Sequence, residues 1–89
     1  MFGVERGTVM NAKVTVYSKP NCQQCRMTYT MLDRAEVEYV VVDVSENAEA
    51  LRYITEELGY SQAPVVVDEH TNENHWSGFR PDKITALSE

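Results

Sequence analysis

Both cysteines of the chain lie in one stretch, Tyr17-Ser18-Lys19-Pro20-Asn21-Cys22-Gln23-Gln24-Cys25. An alternating segment with valines on one face precedes it and predicts a strand, and a helical pattern of apolar residues follows it. A Cys-x-x-Cys pair between a strand and the start of a helix is typical of a dithiol redox centre. The first backbone N–H groups of a helix lack intrahelical partners, and with the positive end of the helix dipole they stabilise a thiolate.

The two cysteines are predicted to have different roles. Cys22 lies at the helix start, where its pKa can fall below the free value of roughly 8.5, so it is predicted to attack disulfides near neutral pH. Cys25 lies one turn further into the helix and is predicted to be the resolving thiol, which releases the mixed disulfide and closes an intramolecular bridge. Lys19 is either an ordinary solvated charge or a modest electrostatic support for the thiolate.

Composition and charge narrow the class of protein. With 89 residues, the chain has room for one small domain. A net charge of −6 argues against nonspecific nucleic-acid binding and against adhesion to an anionic membrane. No apolar run approaches the roughly 18 residues of a membrane helix, and Met1 to Ala12 lacks the apolar core of a signal peptide. Two cysteines in a chain with no export signal favour redox or metal chemistry over a structural disulfide. Since no export signal is seen, we expect a cytoplasmic protein.

The remaining pattern predicts one domain over residues 12–89, preceded by a flexible N-terminal extension over residues 1–11. The predicted elements, in chain order, are a strand at 13–17, a helix at 23–34, a strand at 38–44, a helix at 47–58, strands at 64–68 and 74–77, and a helix at 81–87. The order βαβαββα predicts an α/β fold with a four-stranded mixed sheet flanked by three helices.

Apolar spacing also predicts which side chains are buried. The first helix is expected to bury Met27, Met31, Leu32 and Ala35, and the second to bury Leu51, Ile54 and Leu58. Ile84 and Leu87 are expected to face inward from the last helix. The nearly continuous apolar run Tyr39 to Val42 predicts a strand that is covered on both faces.

Three pieces of the chain carry a family resemblance. They are Tyr17-Ser18-Lys19-x-x-Cys22-x-x-Cys25, Gln62-Ala63-Pro64-Val65-Val66 and Trp76-Ser77-Gly78-Phe79-Arg80-Pro81-Asp82. Together they resemble the NrdH-redoxins, small glutaredoxin-like proteins of the thioredoxin fold. That family donates electrons to class Ib ribonucleotide reductase and is itself reduced by thioredoxin reductase with NADPH.

The resemblance implies the function of this chain. It would be a protein-disulfide oxidoreductase that acts as an electron carrier, with the large subunit of ribonucleotide reductase and thioredoxin reductase as partners. It would bind no cofactor, its redox-active group would be the Cys22–Cys25 disulfide, and it would use NADPH only through the reductase. We expect a monomer that binds neither nucleic acid nor membranes.

The resemblance also implies residues that support the cysteines. The Ala63–Pro64 peptide bond is expected to be cis and to face the cysteines, which leaves the Ala63 backbone available to an incoming peptide strand. Gln23 and Gln24 lie between the cysteines and are expected to support the site. NrdH-redoxins commonly carry an apolar residue at the first of these positions, so Gln23 departs from the pattern.

The third piece is predicted to bind the partner protein through Trp76, Ser77, Gly78, Phe79 and Arg80. Trp76 and Phe79 either cover a small core or form part of an apolar patch beside the active site. Arg80 either anchors the loop 77–82 or reaches an acidic group on the partner.

Two other functions stay open. A glutathione-dependent dithiol glutaredoxin is expected to carry a Gly-Gly-x-Asp-Asp type turn where this chain has residues 77–82, so Phe79 and Arg80 count against glutathione binding. A small zinc-binding interaction module is the third alternative. Its four ligands would be Cys22, Cys25, His70 and His75. The two pairs lie far apart for a compact finger, and the chain between them has enough apolar pattern to fold without metal.

Overall fold

The computed structural model describes residues 13–70 and 74–87 of the chain. Four strands form the sheet: β1 (Val14–Ser18), β2 (Tyr39–Asp43), β3 (Val65–Asp68) and β4 (His75–Ser77). Three helices complete the fold: α1 (Gln23–Arg34), α2 (Ala48–Arg52), which continues as a π-helical turn (Tyr53–Glu57), and α3 (Pro81–Leu87). The predicted element order is confirmed. The predicted extension over residues 1–11 lies outside the described residues.

The sheet is mixed, with strand order β2-β1-β3-β4. β1 pairs in parallel with β2, antiparallel with β3, and β3 pairs antiparallel with β4. Because Tyr17 pairs with Val65, the C-terminal end of β1 and the N-terminal end of β3 lie side by side. The loops that carry Cys22 and Pro64 are therefore next to each other at this end of the strands. None of the helices within residues 13–70 and 74–87 is long and apolar enough to cross a membrane.

The core has two parts, one on each face of the sheet. Under α1 and α3 the buried cluster is made by Val14, Val16, Leu32, Val37, Tyr39, Val66, Trp76, Ile84 and Leu87. Under α2 it is made by Val44, Ile54, Val65 and Val67. The alternation of Val65, Val66 and Val67 between the two clusters follows the two-residue period of a strand. The predicted burial of Ile84 and Leu87 is confirmed.

The prediction that β2 is covered on both faces is confirmed only in part. Only Tyr39 of this strand is buried, and the residues 40–43 are half-buried. Among the described strands, β2 lies at the edge of the sheet and has a neighbour on one side only. A continuous apolar run indicates a strand, but it does not determine whether the strand lies at the centre or at the edge.

The predicted apolar stripe of α1 was partly wrong. The residues that face the sheet are Cys25, Thr28 and Leu32, and Met31 and Ala35 are half-buried against the same cluster. Met27 is 40% exposed, because it lies two residues from Cys25 and therefore about 200° around the helix. Thr28 tolerates complete burial since its hydroxyl donates to the Gln24 carbonyl at 2.9 Å.

The second helix differs from the prediction at Leu51, which is 44% exposed. The face towards the sheet is formed by Ala50, Tyr53, Ile54 and Leu58, and the rings of Tyr53 and Tyr17 lie 5.8 Å apart. Leu51 follows Ala50 by one residue, so it points about 100° away from that face. The π-helical turn ends at Glu57, and Gly59 follows with a φ of +81°, which suits a residue without a side chain.

Candidate redox-active site

Cys22 and Cys25 are joined in a disulfide at the start of α1, with their Cα atoms 5.2 Å apart. Cys22 is the residue that precedes the first turn of the helix, and Cys25 belongs to that turn. Cys22 is 8% exposed and Cys25 is 2% exposed. The more accessible cysteine is therefore the one that the sequence predicts to be the nucleophile.

The electrostatic surroundings of Cys22 favour negative charge. The Cys25 N–H donates to Cys22 Sγ at 3.1 Å, and the first turn of α1 holds no acidic residue. A backbone donor at a helix start is positioned to stabilise a thiolate once the disulfide is reduced. Burial and the charge of Glu69 raise the pKa of the Tyr17 hydroxyl to about 12, so this group stays protonated near neutral pH.

The loop that leads into the helix contains Lys19, Pro20 and Asn21, all of them exposed. Asn21 has a φ of +58°, in the left-handed region. This conformation turns the chain immediately before Cys22, and asparagine adopts it at a lower cost than most residues.

We expect Asn21→Val to destabilise the protein by about 1–2 kcal/mol, because a β-branched side chain clashes in the left-handed conformation. Asn21→Gly should stay within about 0.5 kcal/mol of the wild type, since glycine adopts positive φ without a clash but has a more flexible unfolded state. Urea unfolding of the three oxidised proteins measures the difference. Equal stability of the valine and glycine variants would contradict the assigned backbone conformation.

The Ala63–Pro64 peptide bond is cis, as the resemblance implies. Pro64 is fully buried and Ala63 is half-buried. The carbonyl of Pro64 accepts a hydrogen bond from the Gly78 N–H at 2.8 Å. This hydrogen bond joins the loop before β3 to the loop after β4, at the end of the sheet where β1 ends.

The predicted partner-binding residues differ in burial and in their contacts. Trp76 is 3% exposed and belongs to the core, and Phe79 is half-buried against the same cluster. Both residues therefore cover the core, which is the structural one of their two predicted roles. Ser77 and Gly78 are half-buried. Arg80 is exposed and pairs with Asp82 at 3.0 Å, which agrees with the anchoring alternative. The hydrogen bond from Arg80 lowers the pKa of the Asp82 carboxyl.

The structure adds two features that the sequence reasoning missed. Gln24 Oε1 accepts a hydrogen bond from the Phe79 N–H at 3.0 Å, a contact between residues too far apart in the chain for any local pattern to predict. A mostly apolar cleft of about 100 Å³ lies beside the site, lined in part by Lys19, Leu51 and Ala63. The only signal for this cleft was Leu51, which the helical period assigned to the core. Gln23 is exposed and, among the described residues, makes no side-chain hydrogen bond.

The four ligands of the zinc alternative are not brought together. Pro64 precedes the first residue of β3 and His70 follows its last residue, so the two lie at different ends of the strand. The four residues of β3 alone span about 13 Å. His75 instead shares a 2.7 Å hydrogen bond with the Tyr60 hydroxyl through Nδ1. Among the residues that the structure describes, no three His, Cys, Asp or Glu side chains are arranged to hold a metal ion.

Comparisons with known proteins agree with this geometry. The glutaredoxin family model matches residues 14–73. The gene 56 protein of Mycobacterium phage D29 is 40% identical over 78 residues, which cover 88% of this chain and 84% of that protein. The glutaredoxin-like protein NrdH of Lactococcus lactis subsp. cremoris is 35% identical over 75 residues, which cover 84% of this chain and 99% of that protein. The structure of NrdH-redoxin from Escherichia coli superposes with a TM-score of 0.75 at 31% identity, covering 83% of this chain and 92% of that one.

Proposed function

The chain belongs to the glutaredoxin family, as a glutaredoxin-like protein of the NrdH-redoxin type, and from this membership we propose that it carries electrons from thioredoxin reductase to class Ib ribonucleotide reductase. The observation that carries the proposal is the Cys22–Cys25 pair, with Cys22 more exposed and its Sγ accepting from the Cys25 N–H. We propose that this carrier works in the cytoplasm, where NADPH supplies the electrons through the reductase.

The chemistry is a two-step thiol–disulfide exchange. The Cys22 thiolate attacks one sulfur of the partner's disulfide, forms a mixed disulfide and releases the partner's other sulfur as a thiolate. Cys25 then loses its proton, attacks Cys22 Sγ and releases the partner's second thiolate. The partner gains two electrons and takes up two protons, and the Cys22–Cys25 disulfide is formed. The reductase returns two electrons from NADPH to this disulfide and completes the cycle.

Two observations favour thioredoxin reductase over glutathione as the electron source. The glutaredoxin-like NrdH-redoxin of Escherichia coli has a thioredoxin-like activity profile. In the present chain the Phe79 N–H is already bound by Gln24, and Asp82 is paired with Arg80. Two polar groups of residues 77–82 are therefore engaged within the protein. The second candidate, a glutathione-dependent glutaredoxin, is favoured by the match of the glutaredoxin family model.

We expect the purified protein to support NADPH oxidation with thioredoxin reductase and a model disulfide such as hydroxyethyl disulfide. With glutathione and glutathione reductase in place of thioredoxin reductase, we expect no more than the background rate. Both reactions are followed by the loss of NADPH absorbance, with the redoxin omitted as the control.

The two outcomes separate the candidates. Turnover with thioredoxin reductase alone supports the proposal, and the next substrate to test is a class Ib ribonucleotide reductase. Turnover with glutathione alone would contradict it and would show that the loop 77–82 accommodates glutathione despite Phe79 and Arg80.

A further inference from the structure

The side chain of Gln24 connects α1 to the partner loop, which we define as residues 78–80, between β4 and α3. Its Oε1 accepts from the Phe79 N–H at 3.0 Å. A Cβ placed on Gly78 would lie 3.4 Å from the same oxygen, so the backbone approaches Gln24 closely at this point. The φ of Gly78 is +86°, which aims the next N–H at Gln24 in a conformation that side chains rarely allow.

A second hydrogen bond extends this connection. Gly78 N–H donates to the Pro64 carbonyl at 2.8 Å, while Phe79 N–H donates to Gln24. Two consecutive backbone N–H groups of the partner loop therefore donate to different elements, one to the Pro64 carbonyl before β3 and the next to the Gln24 side chain of α1. Of these two bonds, only the one to Gln24 depends on a side chain, so only that one can be removed by a single substitution.

We propose that Gln24 is a positioning residue that holds the partner loop against the start of α1, and that it thereby sets the preference of the protein for protein disulfides over small ones. The inference rests on the proposed function and deepens it, because it names what determines the class of substrate. A small disulfide needs only access to Cys22. A protein segment must also contact the surface around the cysteines, and a loop that is already ordered loses less conformational entropy when the segment binds.

The role of Gln24 differs from a direct effect on the cysteines. Its side chain is uncharged, and the contribution of its backbone to α1, including the bond from Thr28 to its carbonyl, remains after substitution. Loss of the amide should therefore raise KM for a protein disulfide and leave kcat unchanged. For a small disulfide, which does not contact the loop, the change in KM should be smaller.

The test uses Gln24→Leu, which has a similar helix propensity and removes the acceptor, although its side chain ends one atom short of that of glutamine. Gln24→Glu keeps an acceptor oxygen and is used for the exchange measurement only, because its carboxylate in the first turn of α1 would also act on the Cys22 thiolate. Thr30→Val is the matched control on the same helix, since it removes only a local bond to the Arg26 carbonyl. Amide hydrogen exchange of Phe79 is measured by NMR on the oxidised proteins. kcat and KM are measured with insulin and with hydroxyethyl disulfide, using dithiothreitol as reductant and subtracting its own rate.

For Gln24→Leu we expect Phe79 to exchange about fivefold faster and KM for insulin to rise about fivefold, the change that corresponds to one hydrogen bond. Its constants for hydroxyethyl disulfide should stay within about twofold of the wild type. Gln24→Glu should keep the slow exchange at Phe79, and Thr30→Val should match the wild type in every measurement.

Other results would overturn the inference. Unchanged exchange at Phe79 would refute the positioning role, and an equal loss with both disulfides would place the effect of Gln24 on the cysteines instead. If the wild type reduces both disulfides and Gln24→Leu does so equally well, the inference fails and the proposed function stands. If the wild type reduces neither, the proposed function and the substrate preference fail together, and exchange at Phe79 still decides whether Gln24 holds the loop.

Discussion

Cys22→Ser is expected to abolish disulfide reduction, whereas Cys25→Ser is expected to stop the reaction at a covalent complex with the partner. A serine hydroxyl at residue 22 is not ionised near neutral pH and does not attack disulfides. Without the thiol of Cys25, the attack by Cys22 still occurs, but nothing within the protein releases the mixed disulfide. The asymmetry follows from the greater exposure of Cys22 and from the N–H donor on its Sγ.

The two variants are distinguished by their products with an oxidised protein substrate. Non-reducing electrophoresis and mass spectrometry should show a one-to-one adduct for Cys25→Ser, which dithiothreitol removes. Cys22→Ser should give no adduct, and the double variant is the control for other nucleophiles. An adduct formed mainly by Cys22→Ser would reverse the assigned order of attack.

The local part of the site could be predicted from the sequence because its determinants are adjacent in the chain. The strand, the loop, the two cysteines and the start of α1 follow one another within a dozen residues, so period and spacing define them. α1 and α3 have the predicted bounds for the same reason. The cis bond before Pro64 was implied by the resemblance, not by any pattern in the residues.

The parts that could not be predicted depend on contacts between distant residues. The bond between Gln24 and Phe79 exists only because the sheet brings the start of α1 beside the end of β4. The orientation of α2 is set by Tyr53, which packs against Tyr17 and leaves Leu51 outside. The helical period alone fits Leu51 in the core equally well, and only tertiary packing chooses between the two orientations.

This choice leads to a large expected difference between two leucine substitutions. Leu32 of α1 is completely buried, whereas Leu51 of α2 is 44% exposed. Leu32→Ala should lower the free energy of unfolding by about 3 kcal/mol, because it removes buried methyl groups and leaves a cavity beneath the helix. Leu51→Ala should lower it by less than about 1 kcal/mol, since it loses less buried area and alanine has the higher helix propensity.

Urea unfolding of the oxidised proteins, followed by tryptophan fluorescence, measures both changes against the wild type. The comparison is matched because the two substitutions delete the same atoms from helices of the same domain. If both leucines cost about 3 kcal/mol, the value for a buried site, Leu51 would lie in the core as its spacing suggests. α2 would then be rotated relative to the sheet, and the cleft beside Lys19 and Ala63 would lose the leucine that forms part of its wall.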